Sequence, residues 1–214
     1  MEQVKSLKEL GQVEQLTREL EEKDLIVVAQ TGYADKLEHQ LCFVPARYKD
    51  CYLVHILNEI SSTLSMVFTH TCKDTQRVVL MLGNLGVRAI PISGQMVQAE
   101  RLAAVNMFKS GECNILVCSD VGSRGLDIPS VDTVINYTIP PIPEDYIHRV
   151  ERTGFSILLV NQYEIVPYME IERQHIGKTL LSCYAHEKEA MSLAERVKEA
   201  NRLALKVSDS LNCV

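Results

Sequence analysis

Residues 114–129, which read NILVCSDVGSRGLDIP, decide the fold. The first five form a short apolar run typical of a buried strand, and a loop with glycines and small hydroxyls follows directly. In α/β proteins, ligands bind where parallel strands end, and hydroxyls and backbone N–H groups there can hold phosphate oxygens. The stretch therefore predicts a strand that opens into a ligand-binding loop.

Short apolar runs alternate with helical patterns on both sides of this stretch. Strands are predicted at 64–69, 87–92, 131–137 and 155–160, and helices at 75–85 and 98–108. In the second helix, Leu102, Val105 and Phe108 are expected to share the buried side. Strands that alternate with helices of this length predict βαβ units, and hence an α/β fold whose parallel sheet is covered on both faces.

The flanking segments extend this pattern. A strand near 41–44 and an amphipathic helix at 48–60 precede the core, and a helix containing Pro167 is predicted at 163–171. Residues 187–207 form a charged helix that is expected to be solvated or docked. Upstream, residues 13–23 favour a charged helix and residues 25–30 an apolar strand, which is expected either to pair on a sheet edge or to promote aggregation.

Composition excludes several classes of protein. The chain has 214 residues, 46% of them hydrophobic, which predicts a packed domain. Seven cysteines form no C-x-x-C pair, so neither a disulfide framework nor a metal site is expected, and Cys118 is expected in the core. The formal net charge of −6 does not favour nucleic-acid binding, although local basic positions can still line one face. Neither an 18-residue apolar run nor a secretory leader is visible, so an intracellular protein is expected.

Residues 119–129, SDVGSRGLDIP, resemble the DEAD-box RNA helicase segment T/S-D-V-A-A/S-R-G-L-D-I-P. Because the match extends over eleven residues, an ordinary βα loop does not account for it. Four further stretches resemble family motifs in the same order: 66–71 (MVFTHT), 94–96 (GQM), 98–101 (QAER) and 146–150 (YIHRV). Ser93 stands where the family usually has His. The resemblance implies the second RecA-like lobe, a doubly wound parallel sheet. We expect a first-lobe remnant at 1–36, the lobe at 37–180 and a helical extension at 181–214.

The resemblance also implies roles for individual residues. It assigns RNA-backbone contacts to Gly94, Arg101, Ser119, Arg124 and, as an open alternative, Gly125. It assigns nucleotide contacts to Gly125 and Asp127, and catalytic roles to His148, Arg149 and Arg152. His148 is expected to be a hydrogen-bonded structural histidine within its motif. The family's cofactors are ATP and Mg²⁺, whose binding by this chain is in doubt.

Two parts of the family pattern are missing. Residues 24–32, DLIVVAQTG, look like the strand and start of the phosphate loop A-x-T-G-S-G-K-T, but YADK follows and no G-K-[ST] continues the loop, and neither D-E-A-D nor S-A-T occurs anywhere. We infer that most of the first lobe is removed between Gly32 and Lys36, the alternative being a chance four-residue match.

The last motif, H-R-x-G-R-T-x-R-x-G-R-x-G, is about six residues shorter here than in the family. Arg152 is either the first arginine finger or the arginine of the later G-R-x-G, and the second finger is absent in both alignments. Glu151, in place of Gly, adds negative charge that should repel a nucleotide.

Three functions remain open: a non-catalytic module with weak RNA-backbone or partner binding, an active lobe that works in trans, and an inactive product. Stretches such as FVP at 43–45, ILNE at 56–59 and ERVKEA at 195–200 resemble nucleolar helicases of pre-rRNA processing. The expected partners are therefore RNA, bound without sequence preference, and ribosome-biogenesis proteins in the nucleus or nucleolus. No membrane association and no DNA specificity are expected.

Overall fold

The computed structural model describes residues 27–33, 37–176 and 187–211, with side chains in 37–176 and 187–208. Its strands are β1 (Val27–Tyr33), β2 (Leu37–Phe43), β3 (Ser65–Thr69), β4 (Ile90–Ile92), β5 (Ile115–Ser119), β6 (Thr133–Asn136) and β7 (Phe155–Val160). Its α-helices are α1 (Lys49–Glu59), α2 (Cys72–Asn84), α3 (Gln98–Lys109), α4 (Asp120–Ser123), α5 (Pro143–Val150), α6 (Ile165–Ile171), α7 (Glu187–Ser192) and α8 (Ala194–Leu211). A 3₁₀ turn, Ala46–Tyr48, precedes α1.

All seven strands form one sheet in the order β1-β2-β7-β6-β3-β5-β4. Every neighbouring pair is parallel except β1 and β2, which are antiparallel. The predicted doubly wound α/β fold is confirmed. Because β5 lies between β3 and β4, the loops that follow these three strands converge at one edge of the sheet.

The two faces of the sheet carry separate apolar cores, as the pleat of a strand requires. On β5, Leu116 and Cys118 face one core, while Ile115 and Val117 face the other. Helices α3, α5 and α6 cover the first face, and α1, α2 and α8 cover the second. Cys118 is fully buried, as predicted, and burial raises the pKa of its thiol.

Helix boundaries differ from the predictions where polar capping decides them. Helix α2 begins at Cys72, three residues before the predicted start, because the Thr71 hydroxyl accepts a hydrogen bond from the Asp74 amide at 3.0 Å. In α3 the predicted bounds are nearly right, but the prediction that Leu102 is buried is wrong. Its side chain is 48% exposed, whereas Val105 and Phe108 pack into the core.

The apolar strand predicted at 25–30 pairs on a sheet edge, which is one of the two outcomes expected for it. β1 lies antiparallel on the outer edge of β2, in a register that pairs Val27 with Phe43 and Tyr33 with Leu37. The predicted helix at 13–23 lies outside the described residues. The open edge of β2 is thus covered by the chain's own upstream segment.

The predicted C-terminal helix is two helices, α7 and α8, and it is docked. Val197, Ala200 and Ala204 of α8 are buried against α2, and Asn84 Nδ2 donates to the Ala200 carbonyl at 3.0 Å. Pro167 falls in the first turn of α6, where its missing N–H costs no intrahelical bond, so the helix forms as predicted. A π-helical turn, Glu172–Ile176, follows α6. None of the described helices combines the length and apolarity that crossing a membrane requires.

Candidate functional site

The loops after β4 and β5 are in close contact at the carboxyl edge of the sheet. A Cβ on Gly122 would lie 2.7 Å from both the Ile92 carbonyl oxygen and Ser93 Cα, so the contact tolerates only glycine. The Ser119 hydroxyl accepts a hydrogen bond from the Gly122 amide at 3.3 Å, which fixes the start of α4. Two residues assigned to the RNA backbone, Gly94 and Ser119, therefore flank one platform made of main chain.

Replacing Gly122 by alanine will lower stability by about 1–3 kcal/mol, because the methyl group has to push main-chain atoms of the neighbouring loop aside. The matched control is Gly83→Ala in α2, where no atom lies within 4 Å of the new Cβ. Since alanine is more favourable than glycine in a helix interior, Gly83→Ala should raise the free energy of unfolding by about 0.5–1 kcal/mol. Urea denaturation measures the change in the free energy of unfolding of each variant. A change of the same sign in both variants would contradict the geometry.

Arg149 ties α5 to the loop after β5. Its guanidinium donates twice to the Asp120 carboxylate, from Nε at 2.6 Å and from Nη2 at 2.8 Å. Nη1 donates to the Thr138 carbonyl at 2.6 Å and to Asn136 Oδ1 at 3.1 Å, and the group lies 5.0 Å from the centroid of the Phe68 ring. Because the side chain is 1% exposed and its donors are engaged within the protein, Arg149 is placed to hold the loop rather than to reach a ligand.

The other arginines of this edge are more accessible. Arg124, 60% exposed at its side chain, forms an ion pair with the less exposed Asp145 at the start of α5. Arg101 of α3 donates to Gln98, and its buried Nε has no partner among the described residues. A phosphate can therefore replace the Asp145 carboxylate as the partner of the Arg124 guanidinium.

A second group gathers around Asp127, farther along the same loop. Its side chain is 96% exposed and accepts a hydrogen bond from Lys109 Nζ at 2.6 Å. This bond and the charge of Lys109 hold the pKa of Asp127 below its usual range, and the charge of Arg152 acts in the same direction. Gly125, at φ +71°, provides the left-handed turn between the two groups. Asp127, assigned to the nucleotide, is thus within reach of the charge of Arg152, which was assigned a catalytic role.

Arg152 lies in the short connection between α5 and β7, and His148 lies in the last turn of α5. Arg152 is half-buried, and its buried Nη1 has no hydrogen-bond partner in the described part of the chain. His148 is exposed, and its Nδ1 lies 3.9 Å from Glu151 Oε2, too far for a hydrogen bond. The exposed imidazole thus makes no hydrogen bond within the described residues, and its structural role stays a prediction.

Several residues of the site were missed by sequence reasoning. Asp120, Asn136, Asp145 and Lys109 each contact one of the assigned residues. Asp120 lies inside the quoted motif, and its position directly after a strand was a usable signal. The others come from distant segments, and no sequence pattern paired them with their partners.

A family profile described as "Helicase conserved C-terminal domain" matches residues 48–154, half of the chain. The chain belongs to this helicase family. DEAD-box ATP-dependent RNA helicase 10 of Arabidopsis thaliana is 58% identical over 79% of this helicase chain and 38% of its own length. The ATP-dependent rRNA helicase RRP3 of Yarrowia lipolytica is 46% identical over 91% of this chain and 42% of its own length. The resemblance to the C-terminal lobe of DEAD-box RNA helicases is confirmed, and the chain spans well under half the length of these relatives.

Solved structures agree with the fold of this helicase lobe. The Escherichia coli DEAD-box protein SrmB, solved bound to regulator of ribonuclease activity A, gives a TM-score of 0.65 at 25% identity, covering 74% of this chain and 95% of that one. Domain 2 of the DEAD-box helicase Mss116p, solved bound to an RNA duplex, gives 0.62 at 26% identity, covering 78% and 74%.

The family's ATP and Mg²⁺ fit this chain only in part. Asp127 and Arg152 offer a carboxylate and a free guanidinium donor, which suit a ribose hydroxyl and a phosphate oxygen. No G-K-[ST] continues the loop after AQTG at 29–32, and the sequence has no D-E-A-D; these are the motifs that hold the phosphates and the metal. Within 37–176 and 187–208, no group of three His, Cys, Asp or Glu side chains is arranged to bind a metal ion. The residues present therefore do not make a complete nucleotide site.

Proposed function

We propose that the chain is a non-catalytic helicase lobe that binds the RNA backbone weakly and without sequence preference. The observation that carries the proposal is the platform formed by the loops after β4 and β5. Gly94 and the exposed Arg124 lie on it, while the buried Ser119 fixes the loop by accepting from the Gly122 amide. Main-chain N–H groups and arginines are among the groups that contact nucleic-acid phosphates. Such contacts position a nucleic acid without reading its bases.

The absence of ATP hydrolysis is part of the same proposal. A connection of four residues, 151–154, joins α5 to β7, and Arg152 is its single arginine. An arginine finger is worth roughly 10³ or more in rate, and the phosphate-loop lysine and the metal-binding carboxylates are absent as well. Relatives named as rRNA helicases support an origin in pre-rRNA processing, with ribosome-biogenesis partners and a nucleolar location.

Fluorescence anisotropy with a labelled single-stranded RNA tests the binding half of the proposal. The affinity should fall steeply between about 50 and 200 mM salt, as it does when cationic side chains displace the counterions from the phosphates. Arg124→Gln should weaken binding and reduce the salt slope by about one unit, because it removes one phosphate contact. Arg196→Gln, at an exposed position on α8, is the matched control and should leave both unchanged.

A fluorescent ATP analogue, titrated with Mg²⁺ and RNA present, tests the catalytic half. We expect no saturable binding and no RNA-stimulated phosphate release. Turnover by the purified chain would instead support the alternative of a lobe that works in trans with another chain's first lobe. Equal RNA affinity of Arg124→Gln and the unmodified protein would overturn the assigned platform.

A further inference from the structure

A buried chain of hydrogen bonds runs beneath the platform, from α5 across the sheet to β2. Arg149 Nη1 donates to Asn136 Oδ1 at 3.1 Å, and Asn136 Nδ2 donates to Ser156 Oγ at 3.2 Å. Ser156 Oγ lies 3.3 Å from Tyr146 Oη, which lies 2.6 Å from His39 Nδ1. Each of these five residues is 4% exposed or less, so the whole path is shielded from bulk solvent.

The arginine fixes the direction of the chain. A guanidinium can only donate, so the amide oxygen of Asn136 accepts from it and the amide nitrogen must donate to Ser156. Ser156 is fully buried, and the described residues offer its hydroxyl hydrogen no acceptor other than Tyr146 Oη. Since an unpaired buried donor is unfavourable, Ser156 donates to Tyr146, and the Tyr146 hydroxyl in turn donates to His39.

The chain therefore ends on an imidazole that accepts at Nδ1. Such an imidazole is neutral and carries its proton on Nε2. Burial lowers the pKa of His39, which favours the same neutral form. The direction of the hydrogen bonds through these five side chains thus specifies a single tautomer of one histidine.

We propose that His39 and Tyr146 are positioning residues for the RNA-backbone platform, which act through Asn136 and Arg149. Arg149 connects the two, because its guanidinium donates both to Asn136 Oδ1 and to the carboxylate of Asp120, at the start of the platform loop. The loss of the Tyr146 or His39 end leaves Asn136 and Ser156 free to reorient, and Arg149 then loses one of its fixed acceptors. The effect on RNA rests on the proposed function, whereas the direction of the chain does not.

Nuclear magnetic resonance of the unmodified protein tests the direction. At pH 7, the ¹⁵N shifts of His39 should report the neutral Nε2–H tautomer, and the Nε–H proton of Arg149 should exchange slowly with solvent. A His39 that carries its proton on Nδ1, or that is doubly protonated at pH 7, would overturn the proposal, because Tyr146 could not then donate to it.

Two variants and their controls test the positioning. Tyr146→Phe removes only the hydroxyl, and His39→Val removes the acceptor, while His39→Asn keeps an oxygen near the place of Nδ1. The first two should accelerate exchange of the Arg149 Nε–H and weaken RNA binding by about 2–10-fold, the equivalent of one net hydrogen bond. His39→Asn should restore most of both, and Tyr163→Phe, at a 77% exposed position, should change neither.

The outcomes separate this proposal from the proposed function. Faster Arg149 exchange in Tyr146→Phe, with no RNA binding even by the unmodified protein, supports the positioning of Arg149 and overturns only the RNA-binding role. Unchanged Arg149 exchange in a folded Tyr146→Phe overturns the positioning, whatever the RNA affinity. Failure of His39→Asn to differ from His39→Val would also overturn it, since the acceptor atom would then be without effect.

Discussion

Replacing Arg149 by methionine will lower the free energy of unfolding by about 3–5 kcal/mol, as removal of one partner of a buried ion pair does. The guanidinium is 1% exposed, and its partner Asp120 is 16% exposed at its side chain, so the carboxylate left behind is poorly solvated. Methionine fills much of the arginine volume, so the loss reflects charge and hydrogen bonds more than a cavity. Urea denaturation monitored by circular dichroism measures it.

The matched control for Arg149 is Arg202 on α8. It also forms a two-bond pair, with Glu199, but both side chains are 54% exposed. Surface pairs contribute only about 0–1 kcal/mol, so Arg202→Met should be nearly neutral. Similar losses in the two variants would show that the burial of Arg149 has no energetic consequence and would contradict the tertiary role given to it here.

Replacing Asp50 by alanine will have the second large effect, a loss of about 3 kcal/mol or more. Its carboxylate accepts from Arg77 Nη1 at 3.0 Å and Nη2 at 3.2 Å, from the Tyr137 hydroxyl at 2.8 Å, and from Asn201 Nδ2. These groups come from α2, the end of β6 and α8, so one side chain joins three segments to α1. Its removal leaves the guanidinium of Arg77 without its counter-charge in a mostly buried site.

Glu59→Ala provides the control on the same helix. Glu59 is exposed at the C-terminal end of α1, where a negative charge is mildly unfavourable, so its loss should change stability by less than about 0.5 kcal/mol. Hydrogen exchange adds a readout specific to docking: Asp50→Ala should lower the protection of α8 amides before that of β5. Uniform loss of protection would show that Asp50 supports the whole fold rather than the docked helix.

The fold was predictable because its signals are local. Phe155–Val160 is an apolar run interrupted only by Ser156, and the structure has β7 at those residues. Helix α3 begins at Gln98 as predicted. Errors occur where a residue's surroundings are set by distant segments. Leu102 follows the helical period of Val105 and Phe108, yet no element covers it.

The candidate site was predictable in its members but not in its arrangement. The motifs at 119–129 and 146–150 named Ser119, Arg124, Asp127 and Arg149 without indicating that Arg149 is buried against Asp120 or that Arg124 pairs with Asp145. A sequence motif records which side chains occur, whereas burial depends on the packing of α5 against the sheet. The assigned roles in RNA and nucleotide binding remain predictions.

By itself, the sequence determined the α/β class, the family, and the absence of the phosphate-loop lysine and of a second arginine finger. These follow from periodicity and from residues that are either present or not. Only the tertiary structure decided that β1 covers the edge of β2, that α8 docks through Asp50, and that Arg149 is linked through three side chains to His39. The reason is that such contacts join residues up to 151 positions apart, where no local pattern constrains the pairing and packing alone brings the atoms within hydrogen-bonding distance.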